Sequence, residues 1–185
     1  MDQTKLSIFQ REIKRQCMFA IIAHNAIKSN FSEMSDTNKD TKEWPYFMDM
    51  FWYSIQNFLI AIADISKIFW PPMSTYSQRG EELRNIFNIK NDSPFQSRDA
   101  RNYFEHFDER IENWIASSKT HVFADTNIGP LKGQAKMIGN LGPRDYMRHF
   151  DQTTWTLFFS GDEYKLNVII KAVEDLYEKV QKIVP

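Results

Sequence analysis

The sequence predicts a mainly α-helical bundle with a small antiparallel β-ribbon inserted before the C-terminal helix. Three observations predict this fold class: long segments with apolar residues at helical spacing, only 6 Gly and 7 Pro among 185 residues, and short runs rich in aromatic and β-branched residues. A chain of this length hides roughly 70% of its unfolded surface. We therefore expect a single domain over 1–185, divided into a helical bundle at 5–118, a ribbon at 119–162 and a final helix at 163–184.

The first two helices are predicted from apolar stripes. The first spans about 5–29, and the polar segment 29–43 after it is expected to be a loop. The second spans about 44–70 and ends at Pro71-Pro72, since neither proline can donate a helix hydrogen bond. The apolar arc of the second helix is wide, which predicts a central position in the bundle. The stripe of the first helix consists of Leu6, Ile13, Cys17, Ala20, Ile21, His24 and Ile27.

Two further helices and the ribbon follow. A short helix is predicted near 80–88 and a longer one at 98–117. Short segments at 121–125, 145–151 and 154–160 predict the antiparallel ribbon, with DQTT and SGD as hairpin turns. The chain then ends in an amphipathic helix from about Glu163 to Ile183.

The helix predicted at 98–117 has two distinct faces. At 100° per residue, an apolar arc is expected to face the core, and a polar arc to face outward. The apolar arc contains Tyr103, Phe104, Phe107, Ile111, Trp114 and Ile115, and the polar arc contains Asn102, His106, Glu109 and Asn113. Arg101 flanks the polar arc, so Arg101 and His106 are expected to reach a common ligand. A fixed cation and a titratable imidazole near a helix start favour an anionic ligand.

The motif on this helix resembles that of a known family. Residues 101–106 read Arg-Asn-Tyr-Phe-Glu-His, similar to the R-N-x-x-x-H motif of the HEPN superfamily (higher eukaryotes and prokaryotes nucleotide-binding). Members are small helical bundles, many of them metal-independent endoribonucleases of toxin–antitoxin and other defence systems. The resemblance covers the predicted helical part, about 5–117. It implies that Arg101 and His106 are the catalytic pair, that Asn102 orients them, and that the chain forms a homodimer.

The implied reaction suits these residue types. An RNA 2′-hydroxyl attacks the adjacent phosphate, which leaves a 2′,3′-cyclic phosphate and requires no metal and no cofactor. An imidazole moves a proton near neutral pH, and a guanidinium donates to phosphate oxygens. The acidic neighbours Glu105, Asp108 and Glu109 repel a phosphodiester unless Arg98, Arg101 and Arg110 offset them. RNA and a cognate antitoxin or other protein are the expected partners.

Composition limits the other function classes. The chain has 23 Lys+Arg, 24 Asp+Glu and a net charge of −1, so no global basic field attracts nucleic acid. The single cysteine, Cys17, excludes an intrachain disulfide and a Cys-rich zinc site, and we expect it to be buried. The most apolar stretch, 51–70, contains Gln56, Asn57, Asp64 and Lys67, which argues against a bilayer span. We expect a cytoplasmic protein without membrane partners.

The sequence leaves several alternatives open. The motif helix can be an ordinary solvated face, and His106 with Glu109 provides too few ligands for a metal. His24 is expected to be a core residue, while Asp64 and Glu12 are candidates to hold Arg101 or His106. The alternative function is a non-catalytic helical interaction module. Its partner surface would be the aromatic ribbon residues Phe150, Trp155, Phe158 and Phe159.

Overall fold

The computed structural model describes residues 1–96, 106–118, 121, 123–130 and 145–183. Within these residues the fold is mainly helical, and a small sheet precedes the C-terminal helix, as predicted. The chain divides into two compact units. The first comprises Met1–Arg101 and Ile170–Pro185, and the second comprises Asn102–Ile169.

Two long helices build most of the first unit. Helix α1 spans Gln3–Asp36 and helix α2 spans Glu43–Phe69. They run antiparallel, since ring contacts join Phe31 to Phe51 and His24 to Phe58, each pair with centroids 6.2 Å apart. The side chains between them form the core because they are removed from water together. Fully or almost fully buried members are Ile13, Cys17, Ala20, Ile27, Phe51, Ile55, Phe58, Leu59, Ile65 and Phe69.

Helix α1 is longer than the sequence predicts. The segment 29–43 was expected to be a loop, but α1 continues to Asp36, and the connection to α2 contains only residues 37–42. Met34 is buried and Phe31 contacts the Phe51 ring, so the extra two turns bury apolar surface against α2. That tertiary burial outweighs the preference of the local Ser, Asp and Asn residues for turns.

Helix α2 ends before Pro71, as predicted, and two arginines further along the chain donate to carbonyls of its last turn. Helix α3 spans Ser77–Ile86, slightly earlier than the predicted 80–88. Arg84 Nη1 donates to the Phe69 carbonyl at 2.5 Å, and Arg79 Nη2 donates to the Lys67 carbonyl at 3.3 Å. Cations at a helix C-terminus stabilise it because they face its unpaired carbonyl groups. These contacts fix α3 against the end of α2.

The second unit begins, within the described residues, with helix α4 at Phe107–Ser117. Its sheet has the order β1-β2-β3-β4, formed by Asn127–Ile128, Arg148–Asp151, Thr156–Phe159 and Asp162–Lys165. The β2–β3 and β3–β4 pairs are antiparallel, but β1 pairs with β2 in parallel. The expectation of a purely antiparallel ribbon is therefore wrong at β1, where Asn127 lies opposite His149.

Both predicted hairpin turns occur. Asp151 Oδ1 accepts hydrogen bonds from Thr153 N at 2.9 Å and from Thr154 N at 3.3 Å, which closes the DQTT turn. The SGD turn between β3 and β4 places Ser160 and Gly161 at positive φ (48° and 95°). Glycine adopts such angles at no steric cost, which suits this tight connection.

The final helix, α5, spans Leu166–Ile183. The prediction that it begins at Glu163 is wrong, because Asp162–Lys165 pairs with β3 as strand β4. The prediction that it is amphipathic is confirmed, because one set of its apolar side chains is buried: Leu166, Ile169, Ile170, Val173, Leu176 and Val180. None of the described helices is both long enough and apolar enough to span a membrane.

Candidate functional site

His106 is the one predicted catalytic residue that lies among the described residues, and it stands at the start of α4. Its backbone angles (φ −127°, ψ 38°) are not helical, and its carbonyl accepts a hydrogen bond from Arg110 N at 3.1 Å. Its side chain is 55% exposed, and Nδ1 lies 3.3 Å from Glu109 Oε1. A neutral imidazole that donates through Nδ1 carries its lone pair on Nε2. Glu109 therefore favours the tautomer whose Nε2 can accept a proton from a ligand.

A groove of about 790 Å³ extends from His106 along α4. One wall of the groove is a face of α4. It is formed by residues at helical spacing, Glu109, Arg110, Asn113 and Ser117. The opposite wall is the β3–β4 turn at 160–162. Arg110 Nη1 lies 3.3 Å from Asp162 Oδ2, so an ion pair joins the two walls. The outward face predicted for Glu109 and Asn113 is thus one side of a groove.

Helix α4 is anchored through its aromatic side chains. Trp114 Nε1 donates to the Asp145 carbonyl at 3.1 Å, and the Trp114 ring meets Phe123 edge-on at 5.2 Å. At the other end, the Arg148 guanidinium lies 5.6 Å from the centre of the Phe107 ring. Arg148 also forms a two-pronged ion pair with Asp125. These contacts hold α4 against the sheet, and the groove residues keep their relative positions as a result.

The groove is close to electrically balanced. Glu109 and Asp162 carry negative charges, Arg110 carries a positive charge, and His106 is neutral or positive. The described part of the groove therefore has a net charge of −1 with His106 neutral and zero with it protonated. Each carboxylate lies beside a nitrogen partner, so neither faces the groove as an isolated charge. A phosphodiester bound here needs further positive charge from elsewhere in the chain.

The other predicted catalytic residues, Arg101 and Asn102, lie outside the described residues, as does Glu105. The helix predicted at 98–117 is described from Phe107 onward. Because His106 has non-helical backbone angles, the expectation of one regular helix running through it is wrong. The apolar face of α4 is also less buried than predicted, since Ile115 is exposed and no described side chain of α4 is fully buried.

Sequence reasoning missed the second wall of the groove. Ser160, Gly161 and Asp162 were predicted only as a turn, because nothing in the local sequence places that turn beside α4. The sequence does contain a weak signal that Arg110 belongs to the groove. Arg110 lies four residues after His106 and therefore one turn further along the same helix face. The ion pair between Arg110 and Asp162 spans 52 residues of sequence, and such a pairing has no local signature.

The aromatic ribbon does not form the partner surface considered from the sequence. Phe150 and Phe159 are buried in the second unit, and only Trp155 and Phe158 are partly exposed. Phe150 meets the Trp155 ring edge-on with centroids 5.5 Å apart. The expectation that all four aromatic residues offer a docking surface is wrong, because the side chains of Phe150 on β2 and Phe159 on β3 are buried.

The remaining candidate residues are either buried or paired with a neighbouring charge. His24 and Cys17 are buried as expected, and burial lowers the pKa of His24 to about 4 and raises the pKa of Cys17 to about 12. Asp64 lies 3.7 Å from Lys67, and Glu12 lies 2.8 Å from Arg15, so both carboxylates have local partners. Among the described residues, no group of three or more His, Cys, Asp and Glu side chains is arranged to hold a metal ion.

Comparison of the chain with models of known protein families, with curated proteins and with solved structures finds no match.

Proposed function

We propose that this protein is a HEPN-like, metal-independent endoribonuclease, or an RNA-binding relative of these enzymes, that acts in a defence or toxin–antitoxin system in the cytoplasm. The observation that carries the proposal is the exposed imidazole of His106 at the N-terminus of α4, beside Glu109 and at one end of a groove. A helix N-terminus favours an anion, and an imidazole can transfer a proton near neutral pH.

The proposed reaction uses the substrate's own 2′-hydroxyl as nucleophile. The 2′-oxygen forms a bond to phosphorus, the bond from phosphorus to the 5′-oxygen breaks, and a 2′,3′-cyclic phosphate and a 5′-hydroxyl result. His106 Nε2 takes the 2′-hydroxyl proton in the transition state, and Glu109 holds the imidazole in the required tautomer. The departing 5′-oxygen takes a proton from water, and the imidazolium of His106 returns its proton to the hydroxide that remains. The atoms balance without a metal or a cofactor.

Positive charge for the phosphate is assigned to the arginines of the motif region. Following the resemblance, Arg101 donates to the non-bridging oxygens as negative charge builds up on them, and Asn102 orients the pair. Arg98 precedes the motif in the sequence and adds a second cation. Within the described groove, Arg110 is already paired with Asp162, so its charge is partly neutralised.

The resemblance also implies a homodimer and a cognate antitoxin or other protein that restrains the activity. A nuclease that cuts cellular RNA harms its own cell unless it is controlled, so a protein that covers the groove is the expected regulator. The proposed partners are therefore RNA, a second copy of the chain and an inhibitory protein.

The test is cleavage of total cellular RNA in EDTA by three forms of the protein. Wild type should produce new RNA ends, and His106→Asn should reduce the rate by about 100-fold or more, since general acid–base catalysis contributes about 10²–10⁴-fold. Asparagine is a favoured N-cap residue, so this variant should keep α4 intact.

His121→Asn is the matched control. His121 is an exposed histidine of the same unit with positive φ, a conformation that asparagine tolerates. It should cleave like wild type. Equal cleavage by wild type and His106→Asn would contradict the assignment of His106, and the absence of cleavage by any form would leave RNA binding at the groove as the activity to measure.

A further inference from the structure

The part of the groove beyond His106 carries charges that do not suit an RNA backbone. Of the described lining residues, Arg110 alone has a permanent positive charge, and its Nη1 lies 3.3 Å from Asp162 Oδ2. Proteins bind phosphates through cations that are available to them, and this guanidinium is already paired with a carboxylate. A nucleic-acid base is uncharged and offers N–H and carbonyl groups at its edge. This part of the groove therefore suits a base better than a phosphate.

Asp162 presents hydrogen-bond acceptors to the groove from the β3–β4 turn. A carboxylate has about four lone-pair positions on its two oxygens. Among the described residues its one partner is Arg110, through Oδ2, and its side chain is 57% exposed. The ion pair holds the carboxylate in place and leaves most of its acceptor positions unused. Asp162 can therefore accept two hydrogen bonds from a ligand that donates them side by side.

Guanine is the RNA base whose edge matches such an acceptor. Its Watson–Crick edge carries the N1–H and 2-amino donors next to each other, with the O6 acceptor beside them. Adenine and cytosine place a ring-nitrogen acceptor beside their amino group, and uracil has a carbonyl on each side of its N3–H. A carboxylate facing these other bases would meet an acceptor and be repelled. A carboxylate that accepts from two adjacent donors thus selects guanine.

Asn113 and Trp114 supply the other contacts that a base requires. Asn113 lies one turn beyond Arg110 on the same face of α4 and lines the groove. Its amide is exposed and has no partner in the described part of the chain, so Nδ2 can donate to guanine O6. Trp114 also lines the groove, and the hydrogen bond from its Nε1 to the Asp145 carbonyl at 3.1 Å fixes its ring. The ring provides an apolar surface for the base.

From these contacts we infer that the groove contains a guanine-binding subsite, in which Asp162 accepts from N1–H and the 2-amino group and Asn113 donates to O6. Arg110 lies four residues after His106, which is about 6 Å along α4. The guanine is therefore one of the two nucleotides that flank the scissile phosphate. This inference rests on the proposed function, because it takes single-stranded RNA as the ligand of the groove.

The first test measures RNA binding without cleavage. Short labelled oligoadenylates with 2′-fluoro groups throughout, which have no hydroxyl to attack a phosphate, carry guanine, adenine or hypoxanthine at the central position. Fluorescence anisotropy in EDTA gives their dissociation constants. Wild type should bind the guanine RNA about 5- to 150-fold more tightly than the adenine RNA, as a two-pronged base contact does. Hypoxanthine lacks the 2-amino group and should bind about tenfold more weakly than guanine, because one hydrogen bond to a carboxylate is lost.

Two adjacent residues of β4 provide a matched pair of variants. Asp162→Asn and Glu163→Gln each remove one negative charge, but side chains alternate along a strand, and Glu163 is not among the groove residues. Asp162→Asn should reduce the preference for guanine over adenine to about twofold or less, because the asparagine amide sets a donor against a guanine donor. Glu163→Gln should keep the preference of wild type. It also measures the general effect of a lost charge on RNA binding.

The second test determines the sequence around the cuts that wild type makes in total RNA in EDTA. Guanine should be enriched at one fixed position beside the cut. Asn113→Ala should lower this enrichment by about fivefold, since it removes the donor to O6, and alanine keeps α4 helical. Glu112→Ala is the control, because Glu112 is an exposed residue of α4 outside the groove lining. It should leave the enrichment unchanged.

Free guanosine 5′-monophosphate distinguishes RNA from a mononucleotide as the source of the guanine. It should bind about tenfold or more weakly than the guanine RNA, because the neighbouring nucleotides add stacking and backbone contacts. Tighter binding of the mononucleotide than of the RNA would assign the groove to a free guanine nucleotide and overturn the assignment to RNA.

The inference fails if wild type binds the guanine and adenine RNAs equally, if hypoxanthine binds as well as guanine, or if Asp162→Asn keeps the guanine preference. Cleavage through His106 without any base preference would contradict the subsite and leave the proposed function standing. Guanine-selective binding without cleavage would support the subsite and refute the proposed cleavage. Neither binding nor cleavage of RNA would refute both.

Discussion

The four histidines of the chain occupy different environments, and the environment separates a candidate site residue from a structural one. His106 is exposed beside Glu109 at the end of a groove, whereas His24 is buried against Phe58 and His149 is buried between Tyr146 and Phe158. The helical periodicity of α1 predicted the burial of His24. The contact between His106 and Glu109 follows from their spacing of three residues, but the groove beside them depends on a distant turn.

The buried histidines should make the fold sensitive to acid. Burial lowers the pKa of His24 to about 4 and also lowers the pKa of His149. Because the folded state holds these imidazoles neutral, their contribution is complete above the unfolded pKa of about 6.5 and is lost as pH falls from there toward 4. For His24 the loss is about 3 kcal/mol in the free energy of unfolding.

Urea unfolding at several pH values measures this loss. Wild type should lose stability steadily between pH 6.5 and pH 4, and His24→Leu should lose about 3 kcal/mol less over the same interval. The control variant His121→Asn, which changes an exposed histidine, should lose as much stability as wild type over this interval. Parallel curves for wild type and His24→Leu would contradict the assignment of acid sensitivity to the buried imidazole.

At the scale of the elements, the sequence predicted those features that depend on local chemistry. Pro71 and Pro72 correctly marked the end of α2, and the periodic residues from Leu166 onward correctly marked α5. The errors lie where a distant partner decides the structure. Residues 30–36 are helical because Met34 packs in the core, and Asp162–Lys165 is a strand because β3 lies beside it.

The close contact between α2 and α3 gives a prediction about the stability of the fold. Gly80 lies inside α3, where alanine would normally stabilise a helix by about 1 kcal/mol. A Cβ atom at Gly80 would lie 2.5 Å from the Phe69 carbonyl oxygen and 2.6 Å from Pro71 Cδ. Gly80→Ala should therefore lower the free energy of unfolding by about 1–3 kcal/mol, as overpacked sites do.

Asn85→Ala is the control for this change, because Asn85 is exposed on the same helix. It should leave the stability unchanged or raise it by a few tenths of a kcal/mol, in line with helix propensity. Urea unfolding measures the free energy of unfolding of the two variants. A Gly80→Ala protein as stable as Asn85→Ala would show that α3 does not approach the end of α2 this closely.

At the scale of the whole molecule, two compact units carry separate surfaces. The first unit presents an exposed apolar face on α1 and α2, which includes Phe19, Ile22, Tyr53 and Ile60, and the second unit presents the groove beside His106. A chain with net charge −1 has no overall attraction for nucleic acid, so the proposed RNA binding would depend on the local arginines near the motif. In the function that we propose, this groove cuts RNA through the substrate's own 2′-hydroxyl.

The most direct measurement compares one RNA with the same RNA carrying a single 2′-deoxy nucleotide at the mapped cleavage site, both in EDTA. The proposed reaction predicts that the unmodified RNA is cut to a 2′,3′-cyclic phosphate and a 5′-hydroxyl, and that the 2′-deoxy substitution abolishes cleavage at that site. Cleavage of the substituted RNA, or products ending in a 3′-hydroxyl and a 5′-phosphate, would contradict it.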